Sequence, residues 1–227
     1  MKTYHLTLFL IVCSLSTLNL SAQCIADFYE DNGGGNRGFG FKLIHNVSSV
    51  SDSSFSHSFS YQSLGLELRK DRDDAFKLRW NYRSRFFDDL MGMAVEIIKN
   101  GPDGALNIND NVAITNGLLG EFNLALNFIS LNSISLAAGV SVGDYVGRAV
   151  TDYVFAAGPY LYADYALSDG LAVRLESQLI FGDSFDHVTI KPEVMMRNGL
   201  FLNYELLTGT SDRFDYSRNY IGLGWRF

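Results

Sequence analysis

Residues 75–86 constrain this chain more than any other stretch. Phe76, Leu78, Trp80 and Tyr82 fall on one face of an extended backbone, and Lys77, Arg79, Asn81, Arg83 and Arg85 fall on the other. A period of two is the mark of a strand. Its basic face would be costly to bury without partners. The segment therefore needs a sheet with one apolar surface and one surface that is either wet or lined by acidic groups.

The same design recurs along the chain. In 171–181, Leu171, Val173, Leu175, Leu179 and Phe181 oppose Arg174, Glu176 and Gln178. In 188–197, Val188, Ile190, Val194 and Met196 oppose Lys191, Glu193 and Arg197; in 200–208, Leu200, Leu202, Tyr204 and Leu206 oppose Asn203 and Glu205. The Asn198-Gly199 pair between the last two is a strong two-residue hairpin signal, so these strands are neighbours. Alternation also marks strands at 38–48, 55–69, 117–129, 134–143, 153–166 and 217–227, ten in all. The stretch 87–116 widens the range to eight or twelve, because Met93 to Lys99 and Ala105 to Asn109, split by Gly101-Pro102-Asp103-Gly104, suit a further hairpin. Short turns fall at 71–74, 130–133, 168–170 and 198–199; the longer links 49–54, 87–116, 144–152, 182–187 and 209–216 fall between them.

At the N-terminus, Lys2, the apolar run Leu6 to Val12 and the small-residue end Leu20-Ser21-Ala22 read as a secretory signal peptide cut after Ala22. The run is too short for a permanent span, which needs roughly 20 residues. Cys24 raises a lipid anchor, but Gln23 stands where a small residue is required. With Cys13 in the signal, Cys24 has no partner for an internal disulfide. A net charge of -7 argues against nucleic acid as a partner. Aromatics are high at 14% and charges low at 19%. No later stretch suits a membrane helix, so any crossing must use strands.

The chain stops at Tyr220-Ile221-Gly222-Leu223-Gly224-Trp225-Arg226-Phe227, with Ile221, Leu223, Trp225 and the terminal Phe227 on one face. This resembles the closing strand of small bacterial outer-membrane β-barrel proteins. The resemblance implies an all-β fold, a closed antiparallel transmembrane β-barrel of ten strands. It implies that Leu223, Trp225 and Phe227 form the assembly signal read by the barrel-insertion machinery, and that the chain sits among lipid in the outer membrane of a Gram-negative-type bacterium. The domain plan is then a signal peptide at 1–22, a flexible periplasmic lead at 23–37 and a barrel at 38–227. Closure fits the physics, because hydrocarbon offers backbone groups no partner and a barrel has no edge. Phe76, Phe86, Tyr153, Tyr165, Trp225 and Phe227 would form interfacial girdles. A soluble secreted barrel or sandwich, with the apolar face inward, is the competing reading, since alternation alone does not separate inside from outside.

With apolar faces outward, the lumen receives Lys42, Glu67, Lys77, Arg79, Arg83, Arg85, Glu121, Asp164, Arg174, Glu176, Lys191, Glu193, Arg197, Glu205 and Arg226. Barrels this narrow are filled by side chains, so these charges are expected to pair and plug the bore. An anion or lipid-headgroup site on Arg79, Arg83 and Arg85 is the alternative. Strand 134–143 turns the small residues Ser135, Ala137, Gly139, Ser141 and Gly143 inward, leaving room for a local cavity. The functional reading is a structural or surface-interaction barrel, with loop 87–116 as the recognition element for an extracellular ligand or partner. A narrow channel, or a carrier of an apolar or lipid ligand, is the second reading.

Acidic residues in the outer links raise a hydrolase. Asp88 and Asp89, with Asp183, Asp186 and His187, resemble the rim residues of the omptin proteases, but that family spaces each pair by one residue. Adjacent residues alternate faces. Ser184 near His187 lacks a third member at recognisable spacing. Asn107, Asn109, Asp110 and Asn111 lack the glycine and glutamate of a calcium loop. The sequence thus points to no catalytic residue, no cofactor and no metal.

Overall fold

The alternating segments form a single closed sheet. The computed structural model describes residues 38–53, 56–70, 78–103, 118–131, 133–145, 154–182, 185–211 and 215–226. The signal peptide, the lead and Phe227 lie outside the described residues. Ten strands follow in order: β1 (Phe39–Ser51), β2 (Ser56–Lys70), β3 (Leu78–Arg83), β4 (Leu118–Ser130), β5 (Ile134–Tyr145), β6 (Val154–Ser168), β7 (Leu171–Phe181), β8 (Phe185–Met196), β9 (Leu200–Ser211) and β10 (Asp215–Arg226). Each pairs antiparallel with its sequence neighbours, and β1 pairs with β10 to close the ring. Phe41 stands opposite Trp225 and Leu43 opposite Leu223 across that seam.

The polarity of the ring is inside out. Leu43 is 59% exposed while its neighbour Lys42 is 1% exposed, and the pattern holds from strand to strand. Leu66, Leu126, Leu161, Leu175, Leu202 and Leu223 point outward; Glu67, Arg79, Asp164, Arg174, Glu176 and Glu193 are buried inside. A water-soluble barrel requires the reverse. The competing soluble arrangement is therefore not the one this chain adopts.

The interior is layered. At the end where β1 begins and β10 stops, Ala166, Ala172, Met195 and Phe201 form a small apolar floor. Charged side chains fill the middle, and a helix packs against β2 and β4 toward the other end. That helix, α1 (Arg85–Asn100), corrects the sequence reading most. Residues 75–86 do not form one strand: β3 ends at Arg83, and Ser84 caps α1 by accepting a bond from the Phe87 N–H. Asp88 in the first turn suits the positive end of the helix dipole, and Gly101, at φ 72°, ends the helix in a conformation few other residues adopt. The hairpin expected from Met93 to Lys99 is thus helical; Ala105 to Asn109 lie outside the described residues.

Two smaller corrections concern turns. The β8–β9 connection has three residues, not two: β8 stops at Met196, Gly199 takes a positive φ of 90°, and the Gly199 N–H donates to the Met196 carbonyl. A type I turn followed by a left-handed residue is the usual three-residue solution. Strands also run further than expected toward the far end, where Ser49, Ser51, Gly209 and Thr210 keep the ladder going. Links expected at 49–54, 182–187 and 209–216 shrink to 52–55, 182–184 and 212–214.

Candidate functional site

The site with chemistry in it is the lumen. Because side chains alternate across each strand, every second residue enters a bore too narrow for water to screen it well. Arg79 donates to Asp164 at 2.8 Å, to Ser135 at 2.8 Å and to Asn127 at 2.6 Å. Asp164 also takes Arg174 at 3.0 Å, and Arg174 reaches Glu193 at 3.4 Å. Glu193 holds Arg226 at 2.6 Å, which closes the lumen beside the apolar floor. Arg69 spans Glu67 and Glu176, at 2.8 and 2.7 Å, and Lys191 stands 3.5 Å from Glu67 and 3.7 Å from Glu176. The result is one continuous network across β2, β3, β6, β7, β8 and β10.

A second cluster sits under α1. Arg83 binds Asp88 at 3.0 Å and Glu205, so the last residue of β3 ties the first turn of the helix to β9. Arg218 binds Asp89 at 2.7 Å and donates to the Tyr61 hydroxyl at 2.6 Å, which in turn donates to the same carboxylate. Aromatic rings separate the guanidinium groups. Tyr162 lies 4.3 Å from Arg79 and 4.8 Å from Arg174, and Tyr220 lies 5.0 Å from Arg83 and 4.9 Å from Arg218. A cation over such a face gains about 0.5–2 kcal/mol and keeps like charges apart.

Charge balances in this space. Among the described residues, the buried acids are Glu67, Asp88, Asp89, Glu121, Asp164, Glu176, Glu193 and Glu205. They are matched one for one by buried Lys42, Arg69, Arg79, Arg83, Arg174, Lys191 and Arg218, with half-buried Arg226. A polar cavity of about 20 Å³ remains between the two clusters, lined by Asn81, Asn123, Tyr160 and Gln178 among others, which is room for a water molecule. Gln178, which lines it, accepts from Ser141 of β5 at 3.1 Å, but the small inward residues of β5 do not themselves line this cavity.

Most of the expected lumen residues are where the alternation put them: Arg79, Arg83, Glu121, Asp164, Arg174, Glu176, Lys191, Glu193 and Glu205 all face inward and are buried. Lys77 lies outside the described residues. Arg85 does not belong to a lumen strand, because the backbone has already turned into α1. Arg197 is half-buried in the β8–β9 turn, where its backbone N–H donates to the Gly170 carbonyl. A basic trio of Arg79, Arg83 and Arg85 waiting for an anion is not present. Arg79 and Arg83 are occupied by carboxylates.

The structure adds Arg69, Arg218, Asp88 and Asp89 to the lumen. Parity gives the first two, since Arg69 shares a face with Glu67 and Arg218 shares one with Arg226. Asp88 and Asp89, expected in an outer loop, are each 1% exposed and held by Arg83 and Arg218. Asp186 points outward and His187 inward, so they alternate as adjacent strand residues must. Asp183 and Ser184 lie outside the described residues. Leu223 points outward at 49% exposure and Trp225 is half-buried on the same side.

No family model matches the chain, and no curated protein does. Among solved structures, it is similar to the KdgM porin in complex with disordered oligogalacturonate, at 11% identity and a TM-score of 0.36 over 82% of this chain and 99% of that one. It is similar to Ail, the attachment invasion locus protein of Yersinia pestis, in complex with the heparin analogue sucrose octasulfate, at 5% identity and a TM-score of 0.31 over 84% and 99%. Neisserial surface protein A gives 9% identity and 0.29 over 84% and 97%. These neighbours are bacterial outer-membrane β-barrel proteins. The barrel assignment for this chain rests on its own strand pairing.

Proposed function

We propose that this chain is an integral barrel of a bacterial outer membrane with a closed lumen, serving a structural or surface-interaction role rather than passing solutes. The reversed polarity supports the membrane: a ring of outward leucines, with Leu43, Leu126, Leu161 and Leu202 each more than half exposed, is stable only against hydrocarbon. Export through the leader ending at Ala22, and docking of Leu223, Trp225 and Phe227 on the insertion machinery, complete the route.

The observation that carries the closed-lumen reading is the filling of the bore by paired charges. Between Arg226 at the floor and Asp89 under α1, buried charged side chains occupy the bore in two clusters, each bound within itself. Beyond these clusters, half-buried Glu96 bonds exposed Lys99 and Asn100 at the last turn of α1, and these residues narrow the recognition element within 87–116. The test is conductance of the purified barrel in planar bilayers. The wild type should show no unitary steps. Stable steps from the wild type would overturn the closed-lumen reading and favour the narrow channel.

A further inference from the structure

Helix α1 occupies a place in the wall, not only in the bore. Its main neighbours are β2 and β4, the two strands that flank β3. β3 pairs with β2 only along Glu67–Lys70, and the chain then enters α1. The helix touches both faces of β2. Ser63, an inward residue, donates to the Asp88 carbonyl at 2.6 Å, and Gly92 lies against the ring of inward Tyr61. Lys99 donates to Gln62, an outward residue, at 2.9 Å. An element in contact with both faces of a strand stands at its edge.

The distribution of side chains around α1 follows from 100° per residue. Asp88, Asp89, Gly92 and Glu96 fall within one sector, toward the lumen cations. Leu90, Ala94, Ile97 and Ile98 fall within the opposite sector. Leu90, Ile97 and Ile98 are 46%, 47% and 84% exposed, as outward strand residues such as Leu223 are. No acidic or basic residue interrupts positions 90–95 or 97–98. The helix thus obeys the polarity rule of the strands, charge inward and hydrocarbon outward, with a period of 3.6 instead of two.

From this we infer that α1 is a lipid-contacting panel of the barrel, and that the Leu90, Ala94, Ile97 and Ile98 face binds the acyl chains of the bilayer. A helix is an acceptable wall element there because it satisfies its own backbone groups. The occupant is lipid because this face is continuous with the outward face of β2 and β4, where Leu64, Leu66 and Phe122 are exposed on either side. Asp88 and Asp89 fix the rotation of the helix by their bonds to Arg83 and Arg218, which hold the polar sector inward.

The inference rests on the membrane reading above, and the experiment separates the two. The full-length chain carrying Cys24→Ser is expressed with its leader, given single cysteines at Leu90, Ile97, Leu43 or Lys99, labelled with a nitroxide and placed in phosphatidylcholine vesicles. Collision rates with oxygen and with a water-soluble nickel chelate are then measured. Leu90 and Ile97 should show an oxygen-to-nickel ratio within about twofold of that at Leu43 and well above that at Lys99. Nickel-dominated collisions at both helix positions, with Leu43 still oxygen-dominated, would overturn the inference, as would suppression of both probes, which would mean protein covers the face. Nickel-dominated collisions at Leu43 would instead sink the membrane reading. Heat-modifiable gel migration verifies that each labelled variant has folded, and Ile98, the most exposed position, replaces Leu90 should that label disturb assembly.

Discussion

Replacing Arg83 with methionine puts the closed lumen to a quantitative test. Arg83 is 4% exposed, binds Asp88 through two nitrogens at 3.0 and 3.2 Å, binds Glu205, and covers the Tyr220 ring. Methionine keeps much of the stem and removes the charge, leaving two carboxylates without their shared partner. Breaking a buried pair in this way costs about 3–5 kcal/mol, and the lost ring contact adds about 0.5–2. Asp88 retains the attraction of the α1 N-terminus, which offsets about 0.5–1 kcal/mol. The net expectation is a loss of about 3–6 kcal/mol. Urea titration of the barrel in vesicles, followed by the fluorescence of Trp80 and Trp225, measures it. The triple variant Arg83→Met/Asp88→Asn/Glu205→Gln should return to within about 1–2 kcal/mol of wild type, because amides ask only for hydrogen bonds. A single-variant loss below about 1 kcal/mol, the range of an exposed ion pair, would refute the reasoning by showing a lumen wet enough to screen the charges.

The remaining predictions concern the seat of α1, the outer face and assembly. Gly92→Leu places its Cβ 2.5 Å from the Tyr61 ring, so α1 should lift from β2 at a cost of about 1–3 kcal/mol and the barrel should acquire conductance steps; an unchanged, silent barrel would contradict the packing. Leu43→Arg should destabilise the barrel in vesicles by about 2–4 kcal/mol at membrane depth, whereas a change within about 0.5 would place that face in water. Deleting Phe227 should lower the heat-modifiable fraction recovered from the outer membrane without changing the amount of chain exported; equal recovery would remove Phe227 from the assembly signal.

Strand order, parity and closure were legible because each depends on one local rule. The alternation in 171–181 fixed β7 at the same bounds in sequence and structure, and the same parity put Arg174 and Glu176 inward. Pairing partners were not legible: nothing near Arg79 in sequence announces Asp164, and nothing near Arg226 announces Glu193, since a closed ring brings distant parities together. The helix was concealed by overlap. Through Phe86 the residues satisfy a period of two, while Ser84, Phe87, Leu90, Met91, Ala94, Ile97 and Gly101 already satisfy a capped period of 3.6. The stop at Arg83 is decided by tertiary contacts, the joint demand of Asp88 and Glu205 on one guanidinium.

Lys42 shows how the wall accommodates so crowded a bore. Its side chain lies over glycines on the two strands beside β1: a Cβ at Gly65 would stand 3.0 Å from its Cε, one at Gly222 3.2 Å from its Cδ, and one at Gly224 2.8 Å from its Cβ. The same Gly65 Cβ would meet Asp88 Oδ1 at 2.9 Å, so the glycine gap on β2 brings the lysine stem and the helix carboxylate to one spot. Alternation decides which side of the sheet a residue takes, but the space for it comes from glycines facing it on neighbouring strands. A barrel that fills its own lumen with long charged side chains therefore needs glycine at inward positions next to them, and Gly65, Gly222 and Gly224 meet that need around Lys42.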